Sequence, residues 1–153
     1  MAVTNEEVRA LLDRDEPDYE KAAQLGRDAV PLLQRFVESG DPSRAPKAAY
    51  LAGRIGGPAA AEVLELAAQS ADSSLRAAAA HGARHLQADQ AEAVLMTLLD
   101  DDDPAVRKTA IQAVSAVPSP ALRAKLEILR NAEPEEMVRE IAKSVLERTS
   151  RGT

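Results

Sequence analysis

The stretch Asp103-Pro104-Ala105-Val106-Arg107-Lys108-Thr109-Ala110-Ile111-Gln112-Ala113-Val114 reads as one amphipathic helix with a defined start. Asp103 is a preferred N-cap, because its carboxylate accepts the orphan backbone N–H groups of the first turn. Pro104 at the first helical position costs nothing, since its missing N–H had no partner there anyway. The same opening recurs upstream as Asp41-Pro42 and Asp72-Ser73. Behind it come apolar residues at i, i+4 and i+7, as in Ala48, Ala52 and Ile55, which is the spacing of one helical face.

Six rows of residues repeat at an interval of 31. Leu33, Leu64, Leu95 and Leu126 form one, and Phe36, Ala67, Leu98 and Leu129 a second. Asp41, Asp72 and Asp103 form a third, and Ala48, Ala79 and Ala110 a fourth. Ala52, Ala83 and Val114 make the fifth; Ile55, Leu86 and Val117 the sixth. Each unit holds two helical stretches. Helix A opens at the Asp. Helix B follows a break such as Gly56-Gly57-Pro58 or Pro118-Ser119-Pro120 and buries pairs such as Val63 and Leu64. A single pair cannot bury its own apolar stripe, so neighbouring units must stack.

The reading is therefore an all-α chain: a right-handed α-solenoid of about four to five helix pairs forming one domain over 1–153. Thr4 and Glu7 read as a capping box that opens an N-terminal capping helix at about 4–13. Repeats follow at about 15–40, with an irregular helix A, then 41–71, 72–102 and 103–133. A C-terminal capping helix at about 135–148 has a polar outer face, and a frayed tail is expected from Ser150 to Thr153. The A helices are expected on a convex surface and the B helices on a concave one.

Composition agrees. The 153 residues are 45% hydrophobic but only 2% aromatic, so the apolar mass is Ala, Leu and Val, which favours helices that approach closely. A net charge of −6 counts against general nucleic-acid binding, which needs a basic surface. With no Cys there is no disulfide or thiolate chemistry. No basic, apolar leader opens the chain and no apolar run approaches a membrane span, so the expected location is cytoplasmic.

The Asp103–Val114 segment resembles the helix-A signature of HEAT-like repeats, in the short form found in phycobilin lyases and many bacterial proteins. Leu75, Arg76, Ala79 and Ala83 echo it in the preceding unit; Asp41, Pro42, Ala48 and Ala52 echo it one unit earlier, with Pro46 near the helix start. The likeness spans roughly residues 28–148. It implies a scaffold for protein binding in most members, lyase subunits in some, and a likeness to alkylpurine DNA glycosylases in others.

Charge divides by helix type. The A-helix stretches 42–55, 73–86 and 104–116 hold Arg44, Lys47, Arg54, Arg76, Arg84, Arg107 and Lys108, with no Asp or Glu. The B helices lean acidic, through Asp28, Glu38, Glu62, Glu65, Asp89, Glu92 and Asp100, until Arg123, Lys125 and Arg130 reverse the trend. Two readings follow: steering of a basic partner into an acidic groove, or ordinary solvation with the A-helix cations paired to acids of loops and neighbouring helices. Repeat register brings Gln34, Glu38, Glu62, Glu65, Leu66, Gln69, Met96, Thr97, Asp100 and Glu127 to the groove as the partner-binding residues. There Leu66, Met96 and Ile128 serve as apolar anchors, or Leu66 and Ile128 pack between units. Arg76 and Arg107, beside Asp72 and Asp103, are expected to form an Asp–Arg ladder that fixes stacking. Gly53 and Gly82 are read as close packing between units.

Nothing assembles a catalytic set, and the chain is read as non-enzymatic, without cofactor or metal. His81 and His85 stand four apart, a spacing that chelates metals, but no third ligand is evident and both are read as surface residues. The run Asp100 to Asp103 lacks the spaced ligands and Gly of a calcium loop. The expected function is a scaffold or adaptor, monomeric, holding a protein or peptide in the B-helix groove. The alternatives are nucleic-acid binding on the basic A-helix face, or an accessory lyase- or chaperone-like subunit.

Overall fold

Side-chain caps at Thr4, Asp18, Asp72, Asp103 and Ser119 open helices in the computed structural model, which describes residues 2–115 and 118–151. The helices in order are α1 (Asn5–Leu12), α2 (Tyr19–Ala23), a 3₁₀ turn at Arg27–Ala29, α3 (Val30–Ser39), α4 (Arg44–Ile55) and α5 (Pro58–Ala68). There follow α6 (Ser73–Ala83), α7 (Ala88–Leu98), α8 (Pro104–Ala113), α9 (Pro120–Ala132) and α10 (Glu136–Arg151). Thr4 and Glu7 form the capping box in both directions, at 3.2 and 2.8 Å. Asp72 accepts the Ser74 N–H at 2.9 Å and Asp103 the Ala105 N–H at 2.8 Å. Asp41 accepts the N–H groups of both Ser43 and Arg44 at 2.9 Å, ahead of a helix that starts at Arg44 rather than at Pro42. Pro46 then falls in the first turn of α4, where an N–H would have had no intrahelical acceptor. Between α4 and α5 the chain turns on Gly56 and Gly57, both at positive φ (77° and 95°), a conformation that disfavours side chains.

The 31-residue rows are the core. Leu33, Leu64, Leu95 and Leu126 are 1% exposed or less, and Ala48, Ala79 and Ala110 are fully buried. Each such Leu is worth roughly 1.5–3 kcal/mol of apolar burial. Val117 of the sixth row lies outside the described residues; Leu86 of that row is buried and Ile55 half-buried. The helices alternate between two rows: α2, α4, α6, α8 and α10 touch in sequence as A helices, and α1, α3, α5, α7 and α9 as B helices. The result is an α-solenoid in which α1 continues the B row and α10 the A row. Packing within the A row is the more extensive, greatest between α4 and α6. There Gly53 lies against the backbone of Gly82, with no room between them for a Cβ.

The tail expectation needs correcting. Ser150 and Arg151 are helical, continuing α10 past residue 148, while Gly152 and Thr153 lie outside the described residues. The reason is an anchor: Thr149 is fully buried and donates to the Leu146 carbonyl at 2.9 Å, and Arg123 of α9 reaches the Thr149 and Ser150 hydroxyls.

Candidate functional site

Register on α3, α5, α7 and α9 sets which side chains leave the core. Gln34, Glu38, Glu62, Glu65, Gln69, Thr97 and Asp100 are exposed, and Glu127 is half-exposed. Leu66 is 41% and Ile128 57% exposed. They occupy one row of the 31-residue repeat, formed by Arg35, Leu66, Thr97 and Ile128. Neither belongs to the buried core. Met96 does the opposite: it is half-buried and packs against the core. Part of the acidic character is neutralised from within. Lys125 pairs with Asp100, Arg130 holds Glu127 at 2.9 Å, and Gln34 donates to Glu38 at 2.9 Å. Among the described residues Glu62 and Glu65 have no ion pair, so α5 presents two uncompensated carboxylates beside Leu66.

The cations of the A helices fall into two groups. Those of the first turn are structural. Arg76 Nε donates to Asp101 Oδ2 at 2.7 Å and Nη2 to Asp101 Oδ1 at 3.1 Å, and its Nη1 holds the Ser70 and Ala71 carbonyls. Arg107 repeats the pattern on Glu133 (2.8 and 2.5 Å) and on the Asp101 and Asp102 carbonyls. Arg139 repeats the carbonyl half, on Glu133 and Pro134. Stacking is thus fixed by an arginine ladder, but its carboxylates are Asp101 and Glu133, not the N-caps Asp72 and Asp103. An N-cap carboxylate is already engaged by its own helix, whereas the residue two before the next cap faces the preceding arginine. The second unit has Ala45 at the ladder arginine's own position and Ser70 at the carboxylate's, so it has no such rung; Arg44, one residue earlier, pairs with Asp13 at 2.6 Å and reaches Asp41 at 3.5 Å. The hydrogen bonds from Arg107 hold the Glu133 carboxyl below its ordinary range against the opposing effect of burial. For Asp101, burial pushes upward but Arg76 and the Asp103 N–H outweigh it, so its carboxyl is also lowered.

The last-turn cations are different. Arg54, Arg84 and Arg148 make no ion pair among the described residues. Arg84 and Arg148 line one cleft of about 310 Å³ with His81, Thr109 and Gln112. A second, wider cleft of about 400 Å³ shares His81 and is walled by Tyr19, Tyr50 and Lys47. Tyr50 sits edge-on to Tyr19 (centroids 4.7 Å) and to His85 (5.6 Å), with its hydroxyl 3.2 Å from His85 Nε2. Burial and then the charges of Arg54 and Arg84 push the His85 imidazole below its ordinary pKa. Both tyrosines and both histidines of the chain therefore gather on the A-helix face. Sequence reasoning missed this grouping. Tyr50, His81 and Gln112 form a visible row, but Arg148 lies beyond the one-residue insertion that precedes Val138-Arg139, and Tyr19 sits on the irregular first helix.

Among the described residues no three His, Cys, Asp or Glu side chains gather as a metal site, and no helix is long and apolar enough to cross a membrane.

A family model for HEAT repeats matches residues 62–147. No curated protein sequence matches the chain. Among solved structures the chain is similar to one from the complex of CpcE and CpcF of phycocyanin lyase from Nostoc sp. PCC7120, at a TM-score of 0.74 and 21% identity. That likeness covers 92% of this chain and 96% of the other, and at this identity it speaks for the fold.

Proposed function

The chain belongs to the HEAT-repeat family, and on that premise we propose that it is a non-enzymatic binding subunit that docks a protein or peptide on the face of its B helices. The observation that carries the reading is the pair Leu66 and Ile128. Both are large apolar side chains left in solvent at the same repeat position, on helices whose other Leu and Val residues are buried or half-buried. Interfaces are commonly built around such anchors inside a polar rim. The rim here is Gln34, Glu38, Glu62, Glu65, Gln69, Thr97, Asp100 and Glu127. The free carboxylates of Glu62 and Glu65 favour a partner that brings Lys or Arg beside its own apolar residues. Met96 contributes less, because its side chain already belongs to the core.

A second reading narrows the first. The solved structure of like fold comes from a complex of two subunits of a lyase, which supports an accessory subunit whose work is to hold a catalytic partner. Both readings call for a protein partner, and the B-helix face is where we place it.

The test is site-directed photo-crosslinking in the native cells. A crosslinker at position 66 should capture one dominant protein, and a crosslinker at position 112 on the A-helix face should not. Reconstituted with the captured protein, Leu66→Asp/Ile128→Asp should lose affinity by about 100-fold, as expected when two interface anchors are removed. Equal capture from both faces, or unchanged affinity in the variant, would refute the assignment.

A further inference from the structure

A cluster of cationic and polar side chains lies away from that face. Three elements meet at the cleft of about 310 Å³: the end of α6 contributes His81 and Arg84, α8 contributes Thr109 and Gln112, and α10 contributes Arg148. None of its described lining residues is a carboxylate, in a chain with 25 Asp and Glu against 19 Lys and Arg. Arg84 and Arg148 face it without an ion pair among the described residues, whereas the first-turn arginines Arg76 and Arg107 are bound to carboxylates and carbonyls. Two guanidinium groups, an imidazole and an amide around one opening form a donor set matched to a compact oxyanion, because guanidinium pairs readily with phosphate oxygens. His81 is shared with the neighbouring cleft of about 400 Å³, whose walls are the rings of Tyr19 and Tyr50 and which also has no carboxylate among its described lining residues. Each volume falls near the lower end of the small-molecule range.

We propose that the cleft between α6, α8 and α10 binds the phosphate of a small phosphate monoester, with a planar organic part lying in the tyrosine-walled cleft beside it. Arg84 and Arg148 hold the phosphate oxygens, His81 donates from the ridge between the two clefts, and the two tyrosine rings, set edge to face at 79°, form an apolar corner for the organic part. The site shares no residue with the B-helix face, so it stands or falls independently of the partner reading. Burial is the main cause that depresses the His85 imidazole, and a bound phosphate would offset only the smaller part due to the charges of Arg54 and Arg84.

The chain supplies its own reporters, because its only two histidines stand at this face. The imidazole C2–H signals are followed by proton NMR at pH 7 and low salt, while adenosine monophosphate, inorganic phosphate and a short oligothymidine are titrated separately. Adenosine monophosphate is expected to move the His81 and His85 signals saturably, with a Kd below about 1 mM, and to bind about tenfold tighter than inorganic phosphate. In Arg84→Glu/Arg148→Glu, with its fold checked by circular dichroism, affinity should fall by about 100-fold, roughly tenfold for each guanidinium–phosphate pair removed. Arg35→Glu on α3 should leave it unchanged. No saturable shift with the mononucleotide would overturn the proposal. So would an unaltered Kd in the double variant, or inorganic phosphate or the oligomer binding as tightly as the mononucleotide.

Discussion

Replacing Glu133 by Ala is the sharpest probe of what holds the stack together. Glu133 is 2% exposed, yet it is charged. Both carboxylate oxygens are spent on Arg107 of α8, and one also accepts the Glu135 N–H at 3.2 Å, so the side chain ties α8 to the junction of α9 and α10. Removing one partner of a buried pair costs about 3–5 kcal/mol, because the other charge is left uncompensated. Arg107 retains 13% side-chain exposure and its two carbonyl acceptors, which places Glu133→Ala at the lower end, about 3 kcal/mol. For a chain of this size that corresponds to a fall in Tm of roughly 6–12 °C. The assay is urea unfolding by circular dichroism on the wild type, Glu133→Ala, Arg107→Ala and the double variant, with a coupling of about 2 kcal/mol expected from the cycle. The pH dependence has a definite sign. The folded-state pKa of Glu133 lies below its unfolded value, so its contribution is present above the ordinary carboxylate pKa and is lost as pH falls through the folded pKa. The stability gap between wild type and Glu133→Gln should therefore hold through the ordinary carboxylate range and close only at more acidic pH. A coupling under about 0.5 kcal/mol, or a gap between the two that persists unchanged at low pH, would refute the account of the ladder.

Four further outcomes are expected. Gly53→Ala should destabilise by about 1–3 kcal/mol despite the better helix propensity of Ala, because its Cβ would lie closer than 3.0 Å to the Gly82 backbone. Gly82→Ala, whose Cβ meets Leu64 methyls at 3.1 and 3.2 Å and a carbonyl at 3.2 Å, should lose less than half as much in the same denaturation assay. Asp103→Ala should cost about 1 kcal/mol by removing the cap of α8, and Asp103→Asn should recover most of it. Leu66→Asp/Ile128→Asp should leave the unfolding midpoint nearly unchanged, within about 0.5 kcal/mol, since neither side chain is in the core; a large loss would return both residues to packing between units.

The all-helical solenoid and its core were legible because they rest on local rules repeated in phase. Capping carboxylates and Leu and Ala rows at an interval of 31 specify where helices start and which stripe each must bury, and a stripe that one pair cannot cover forces stacking. Ionic partners were less legible. Asp72 and Asp103 looked like the mates of Arg76 and Arg107, but a carboxylate engaged at a helix start is committed, and Asp101 and Glu133 come within reach only when the units stack. The cleft of His81, Arg84 and Arg148 was invisible for the same reason. Its two arginines stand 64 positions apart, on α6 and α10, with an insertion breaking the register between them. Periodicity by itself determined the Leu and Ala rows that form the core, while the burial of Met96, Glu133 and Thr149 followed from how the helices pack. Which charges pair, which stay free and which clefts open depend on interhelix distances, and only the packing of one helix against another, such as Gly53 on Gly82, sets those.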